Sequence, residues 1–188
     1  PLTRPNQPGV RSVALDRFGN VWVGTYGGGL QFIPGKDPGA GSRAFEPGER
    51  NARGVQALCV GNDGVLVAGS RTGRIAAILE KANRSLPGAA GQIDPVQALQ
   101  QDPEGRWWIG TEENGLYVLE RGRLRRVPLS DGPSDIRALQ VAGSALWVGS
   151  GRGLYRIDRT TGRELRHWTH RNDSLPDDLV RALCLDES

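Results

Sequence analysis

The sequence predicts an all-β fold made of repeated four-stranded antiparallel sheets, about 40–45 residues to each repeat. Three observations lead there. An aliphatic segment recurs as Val10-Arg-Ser-Val-Ala-Leu-Asp16, Val55-Gln-Ala-Leu-Cys-Val60, Val96-Gln-Ala-Leu-Gln-Gln-Asp102, Ile136-Arg-Ala-Leu-Gln-Val141 and Val180-Arg-Ala-Leu-Cys-Leu-Asp186, with starts 45, 41, 40 and 44 residues apart. A second segment, Val21-Trp-Val-Gly-Thr25, returns as Leu66-Val-Ala-Gly-Ser70, Trp107-Trp-Ile-Gly-Thr111 and Leu146-Trp-Val-Gly-Ser150, and places its glycine 14, 14, 14 and 13 residues after the first aliphatic. A third opens on glycine: Gly29-Leu-Gln-Phe-Ile33, Gly73-Arg-Ile-Ala-Ala77, Gly115-Leu-Tyr-Val-Leu119 and Gly153-Leu-Tyr-Arg-Ile157.

Each segment is too short for a helix, rich in aliphatic and aromatic residues, and bounded by turn residues, so each reads as a strand. Asp16-Arg-Phe-Gly-Asn20, Gly61-Asn-Asp-Gly64 and Asp102-Pro-Glu-Gly105 supply hairpin turns between the first and second strands. Tyr26-Gly-Gly28, Arg71-Thr72, Glu112-Glu-Asn114 and Gly151-Arg152 connect the second to the third. A fourth, outer strand is expected around Ser42–Glu46, Arg123–Val127 and Glu164–Trp168, and is poorly defined in the second repeat.

Four antiparallel strands repeated at this period describe β-propeller blades. A leucine-rich solenoid has a shorter period, helical repeats need a 3.6-residue pattern, and an immunoglobulin-like sandwich does not repeat its own strands. The blades span residues 10–54, 55–95, 96–135 and 136–179, and residues 180–188 begin a fifth. About four blades plus one strand read as a fragment of a seven- or eight-bladed ring, or as half of a homo-oligomer that closes or stacks the ring. The sequence holds no methionine, which fits a chain taken from a longer reading frame.

Composition supports a folded chain. Glycine takes 27 of 188 positions and proline 12, heavy punctuation that favours short strands. Hydrophobic residues at 37% and charged residues at 24% suffice for a core and exclude wholesale disorder. No apolar run reaches the roughly 18–20 residues of a membrane span, and no basic-then-apolar leader opens the chain. A net charge of +3 is too small to argue for nucleic acid. The densest basic cluster, Arg121, Arg123, Arg125 and Arg126, reads as a solvated strand edge. Two cysteines make no disulfide framework.

The run Val-x-Ala-Leu-x-x-Asp followed by Gly-Asn-Val-Trp-Val-Gly-Thr-x-Gly-Gly-Gly-Leu, best seen over Val10–Leu30 and nearly as well over Val96–Leu116, resembles the two-component regulator propeller repeat. The second repeat departs from it with Val67 at the tryptophan position, and the fourth has a turn one residue shorter. Asn172-Asp-Ser-Leu-Pro-Asp-Asp-Leu-Val180 is similar to that family's linker into a following blade. The resemblance implies a bacterial sensor region on the periplasmic or extracellular side of a membrane-anchored signalling protein, whose kinase or other output domain is not in this sequence. It implies a small-molecule or oligosaccharide ligand and no catalytic role for this portion. A protein-interaction scaffold, or a propeller enzyme resembling streptogramin lyases, is the alternative.

Strand alternation places the chemistry. With the first strand innermost, its polar second position (Arg11, Gln56, Gln97, Arg137, Arg181) forms part of a ring at one mouth of the channel. The loops between second and third strands emerge at that face, adding Tyr26, Arg71, Glu112, Glu113, Asn114 and Arg152. A concave polar mouth with aromatic character suits ligand binding, and arginine forks suit carboxylates or sugar hydroxyls. Otherwise these residues solvate or brace the strand starts.

The column Trp22, Trp108, Trp147 reads as packing between blades, and Trp107 and Trp168 fall outside it in positions that suit exposure. The column Thr25, Ser70, Thr111, Ser150 reads as hydroxyl-to-backbone bonds at a strand end. His167 and His170, beside an expected outer strand, make no metal site alone. No nucleophile–base order or phosphate loop is readable, and no cofactor is expected.

Overall fold

A computed structural model describes residues 9–36, 43–45, 54–78, 83–85, 93–132, 134–172 and 175–186. Their regular structure is all strand, in four sheets of four. The first sheet holds β1 (Val10–Leu15), β2 (Val21–Thr25), β3 (Gly29–Ile33) and β4 (Arg43–Phe45). The second holds β5 (Val55–Val60), β6 (Leu66–Ser70), β7 (Ile75–Ile78) and β8 (Asn83–Ser85). The third holds β9 (Val96–Gln101), β10 (Trp107–Thr111), β11 (Leu116–Glu120) and β12 (Arg123–Val127). The fourth holds β13 (Ile136–Ala142), β14 (Ala145–Ser150), β15 (Gly153–Asp158) and β16 (Glu164–Trp168). Each sheet is an antiparallel meander in chain order, so sequence neighbours are also spatial neighbours. The outer strand of the second repeat, poorly defined in the sequence, is the short β8.

The sheets meet through their first strands: β1 lies against β5, β5 against β9, and β9 against β13. This makes the first strand the innermost one. The joint is specific. A Cβ built on Gly24 would lie 2.7 Å from Val55 Cγ1, one on Gly69 2.4 Å from Val96 Cγ1, one on Gly110 2.6 Å from Ile136 Cγ2, and one on Gly149 2.8 Å from Val180 Cγ1. Each first aliphatic is therefore a knob seated on the glycine of the preceding blade's second strand. Val55, Val96 and Ile136 are at most 4% exposed, whereas Val10, with no described blade before it, is 62% exposed. Burying such a side chain stabilises by about 1.5–3 kcal/mol. Val180–Asp186, expected as the first strand of a further repeat, is assigned no strand. Val180 nevertheless takes the repeat's place, its amide donating to Ser150 O at 2.9 Å.

Strict alternation does not survive in the first strands. All four carry a register shift at their second residue: between Val10 and Ser12, Val55 and Ala57, Val96 and Ala98, and Ile136 and Ala138. Arg11, Gln56, Gln97 and Arg137 thus sit at β-bulges, which bend the strand and re-aim the side chain.

At the other end of the first strands, a carboxylate closes the hairpin. Asp16 accepts from the Phe18 and Asn20 amides at 2.9 and 3.0 Å, from Asn20 Nδ2 at 2.9 Å and from Trp22 Nε1 at 3.0 Å. Asp102, fully buried, accepts from Trp108 Nε1 at 2.9 Å and from Arg106 Nε at 2.7 Å. The second repeat lacks both partners together, having Gly61 and Val67 at these positions. Arg159 in the turn after β15 reaches Glu104 and Asp102, tying the third blade to the fourth. The column of tryptophans is therefore more than packing, since two of them also hold the turn carboxylate.

Trp107 corrects an expectation. It is 8% exposed, within a cluster that includes Cys59, Val67 and Leu119, because it faces back toward the second blade as Trp108 faces forward. Trp168 is half-buried and stacks on Trp147 with ring centroids 5.3 Å apart. Arg123, Arg125 and Arg126 lie exposed on the outer strand β12, as a charged edge should.

Two predictions test this architecture. Gly110→Ala drives a methyl into Ile136 and should cost about 1–3 kcal/mol by urea denaturation, whereas Gly9→Ala, with nothing within 4 Å, should change stability by less than about 0.5 kcal/mol. Burial alone would raise the Asp16 pKa, but the bonds from Asn20, Trp22 and Phe18 outweigh it and hold the carboxyl below its ordinary value. A depressed folded pKa contributes stability above the unfolded carboxyl value that is lost as pH falls through the folded one. The urea midpoint of the native protein should therefore drop through acid pH more steeply than that of Asp16→Asn.

Candidate ligand-binding mouth

Backbone hydrogen bonds bring each loop between second and third strands to the start of the first strand. Tyr26 N donates to Gly9 O, Arg71 N to Gly54 O and Glu112 N to Pro95 O, all at 3.0 Å, and Gly151 N to Asp135 O at 3.2 Å. The bulge column and these loops thus share one end of the blades. The loops are held from beneath by the hydroxyl column: Thr25 and Thr111 donate to Gly29 O and Gly115 O at 2.9 Å, and Ser150 to Gly153 O at 3.1 Å. Ser70 instead accepts from the Arg74 amide at 3.1 Å. These buried hydroxyls are committed to the backbone.

Three of the expected site residues meet. Arg11 and Arg71 place their guanidinium carbons 5.1 and 5.2 Å from the centroid of the Tyr26 ring, and an Arg71 nitrogen contacts the Tyr26 hydroxyl. Tyr26 is 46% exposed, so its ring remains available to a ligand. The next sector is acidic, with Glu112 and Glu113 exposed and Asp94 hydrogen-bonded to Asn114. Gln56 and Gln97, both half-buried, make no side-chain hydrogen bond among the described residues.

The fourth blade's rim is satisfied internally. Arg137 Nε donates to Asp135 Oδ2 at 2.7 Å, and the other Asp135 oxygen takes the Gly151 amide at 3.0 Å. Arg137 thus braces the strand start. Arg152 Nη1 donates to Asp131 O at 2.5 Å, and Arg181 is exposed. Asp94 and Asp135 were missed by sequence reasoning, although aligning the repeats at the residues just before Val96 and Ile136 would have exposed them.

The histidines belong to the outer strand and the turn after it, and His167 reaches the fourth blade's rim loop from outside. His167, on the outermost strand β16, stacks on Tyr155 at 3.9 Å, with Nε2 2.7 Å from Arg152 O and Nδ1 3.6 Å from an Asp131 oxygen. His170 Nδ1 lies 3.1 Å from Leu175 O. Among the described residues no group of three or more His, Cys, Asp or Glu side chains could hold a metal ion. Burial, with the Asp131 and Glu164 charges adding to it, pushes the Tyr155 hydroxyl up to about 12.

The propeller class defined by these blades agrees with known structures. Over 100% of its length the chain is similar to the extracellular domain of a B. thetaiotaomicron protein assigned as a one component system, with TM-score 0.77, 20% identity and 26% of that chain covered. It is similar over 95% of its length to the extracellular domain of a protein assigned as a hybrid two component system from the same organism, with TM-score 0.63, 21% identity and 25% of that chain covered. Virginiamycin B lyase from Staphylococcus aureus is similar over 83% of this chain and 54% of its own, with TM-score 0.66 and 18% identity. At these identities the likeness concerns the fold, and the chain spans about a quarter of the first two structures. Residues 4–27 and 91–113 match the family model described as two component regulator propeller, covering the strand–turn–strand units of the first and third blades. No curated protein matches the sequence significantly.

Tyr155 yields a prediction. Its folded pKa lies above the tyrosine value of about 10, so its contribution is complete below that pH and is lost as pH rises toward 12. Absorbance titration should show one late-ionising tyrosine, absent in Tyr155→Phe, and that variant should lose less stability between neutral pH and the alkaline limit.

Proposed function

We propose that this chain is a non-catalytic, ligand-sensing propeller portion of a two-component-type signalling protein, working on the extracellular or periplasmic side of a bacterial membrane. Occupation of the mouth shifts how the blades pack against their neighbours and so biases an output domain. The observation that carries the reading is the meeting of Arg11, Tyr26 and Arg71 at the end of the blades where the bulges and loops converge. The family match over residues 4–27 and 91–113, and the fold shared with extracellular sensor domains, support the signalling context.

The scaffold reading calls for an apolar patch on a ring face. Of the exposed apolar residues, Val10, Val13, Leu15 and Phe18 lie on the first blade's inner strand and the turn after it, Leu165 on β16 and Leu185 in the segment after Val180, and Val10 is in the column that a neighbouring blade buries elsewhere. The lyase reading calls for a histidine at the channel mouth, and both histidines belong to the outer strand and the turn after it.

A thermal-shift survey of glycans, both neutral and acidic, and small organic acids against the 188-residue chain tests the sensing claim. One ligand class should raise Tm by mass action, and Tyr26→Ala should abolish the rise without lowering the Tm of the free protein appreciably. No response to any class, or a rise that survives Tyr26→Ala, overturns the reading.

A further inference from the structure

We propose that the seam between the first and second blades is a carboxylate-binding subsite, in which Arg11 and Arg71 hold the anionic group and the half-exposed Tyr26 side chain supports the ring of an acidic sugar. This rests on the mouth being a ligand site and names the chemistry of what enters it.

Both guanidinium groups lie against one tyrosine ring, within about one Debye length of each other, and neither has a carboxylate partner among the described residues. Other arginines of the blades are neutralised, Arg137 by Asp135, Arg106 by Asp102 and Arg159 by Glu104, and Arg152 is held by the Asp131 carbonyl. Two like charges gathered on one ring repel, and the arrangement falls in energy when an anion binds beside them. Arginine forks match a carboxylate in shape as well as charge.

Comparison of equivalent positions strengthens the case. Asp135 stands two residues before Arg137 and neutralises it, and the position two residues before Arg11 is Gly9. Both residues make the same backbone bond to the following loop, Gly9 O to the Tyr26 amide and Asp135 O to the Gly151 amide, so they are structural equivalents. The first blade thus keeps the cation and omits its counter-ion. Gly54 borders the seam at φ 92°, a conformation that favours glycine, and an added Cβ would make ordinary van der Waals contact with Tyr26 O and Arg71 Cβ at 3.6 and 3.4 Å.

Tyr26 supplies the second element of recognition. Its half-exposed aromatic side chain offers electron-rich surface to the positively polarised C–H groups of a pyranose beside the two guanidinium groups. A carboxylate next to a sugar ring satisfies both elements together. An acetate ion satisfies only the first.

Isothermal titration of the 188-residue chain with glucuronate, acetate and glucose at low salt separates the terms. Glucuronate should bind saturably, acetate at least tenfold more weakly, and glucose not measurably, and glucuronate affinity should fall as salt rises. Arg11→Ala and Arg71→Ala should each weaken glucuronate binding about tenfold or more, Arg71→Lys less, and Arg123→Ala on the outer strand should leave it unchanged. Gly9→Asp, which installs the counter-ion of the fourth blade, should weaken it as strongly while both arginines remain. Circular dichroism confirms that each variant is folded. Glucose binding equal to glucuronate, and indifferent to the arginine substitutions, overturns the carboxylate assignment while leaving the mouth a ligand site. No saturable binding of either acid overturns the assignment as well.

Discussion

The seating of an aliphatic side chain on a glycine of the preceding sheet is the contact on which the rest of the structure depends. Val55 on Gly24, Val96 on Gly69, Ile136 on Gly110 and Val180 on Gly149 repeat one joint. It sets the distance between innermost strands, because a methyl at the glycine would push the sheets apart. It also sets their order, since each blade offers a glycine in one direction and a knob in the other. Everything at the mouth inherits this spacing. The Tyr26 ring can meet Arg71 of the next blade because the first strands of the two sheets are in contact.

Around that joint the repeats divide their labour between ends. At one end a carboxylate gathers the hairpin amides and a tryptophan Nε1, as Asp16 and Asp102 do. The second blade lacks both acid and indole, whereas the fourth keeps Trp147 with Ala142 at the acid's position and stacks that indole on Trp168 instead. Gly61 has a reason of its own, since a Cβ there would lie 2.9 Å from Gln101 Oε1 and 3.2 Å from Trp107 of the third blade. At the other end the bulges release the second residue of each first strand from the ladder. Side chains at that end differ between repeats while the backbone bonds beneath them repeat, which suits function on a repeated scaffold.

The mouth is correspondingly uneven. The seam of blades one and two is cationic and aromatic, the third blade's rim is acidic, and the fourth blade's rim is closed by its own ion pair. A ring of equivalent positions therefore carries inequivalent chemistry. Polarity at every bulge was visible in the repeats, but treating Arg11 and Arg137 alike was not justified. Their difference lies in a neighbour, Gly9 against Asp135, and not in the arginines themselves.

The strands of the four blades, their period and the innermost place of the first strand were legible in the sequence, because all three follow from short-range patterning that each repeat states again, whereas Val180–Asp186, read as a further first strand, forms none. The hydroxyl column was legible for the same reason: its bonds close within one turn, from Thr25 to Gly29 and from Thr111 to Gly115. What only the tertiary structure decided were contacts between blades and departures from ideal alternation. The bulges, the burial of Trp107, the Arg159–Glu104 tie and the convergence on Tyr26 all depend on how far apart two sheets sit and how they are rotated. Alternation along a strand states which face a residue takes, but it holds no information on what the neighbouring sheet brings to that face.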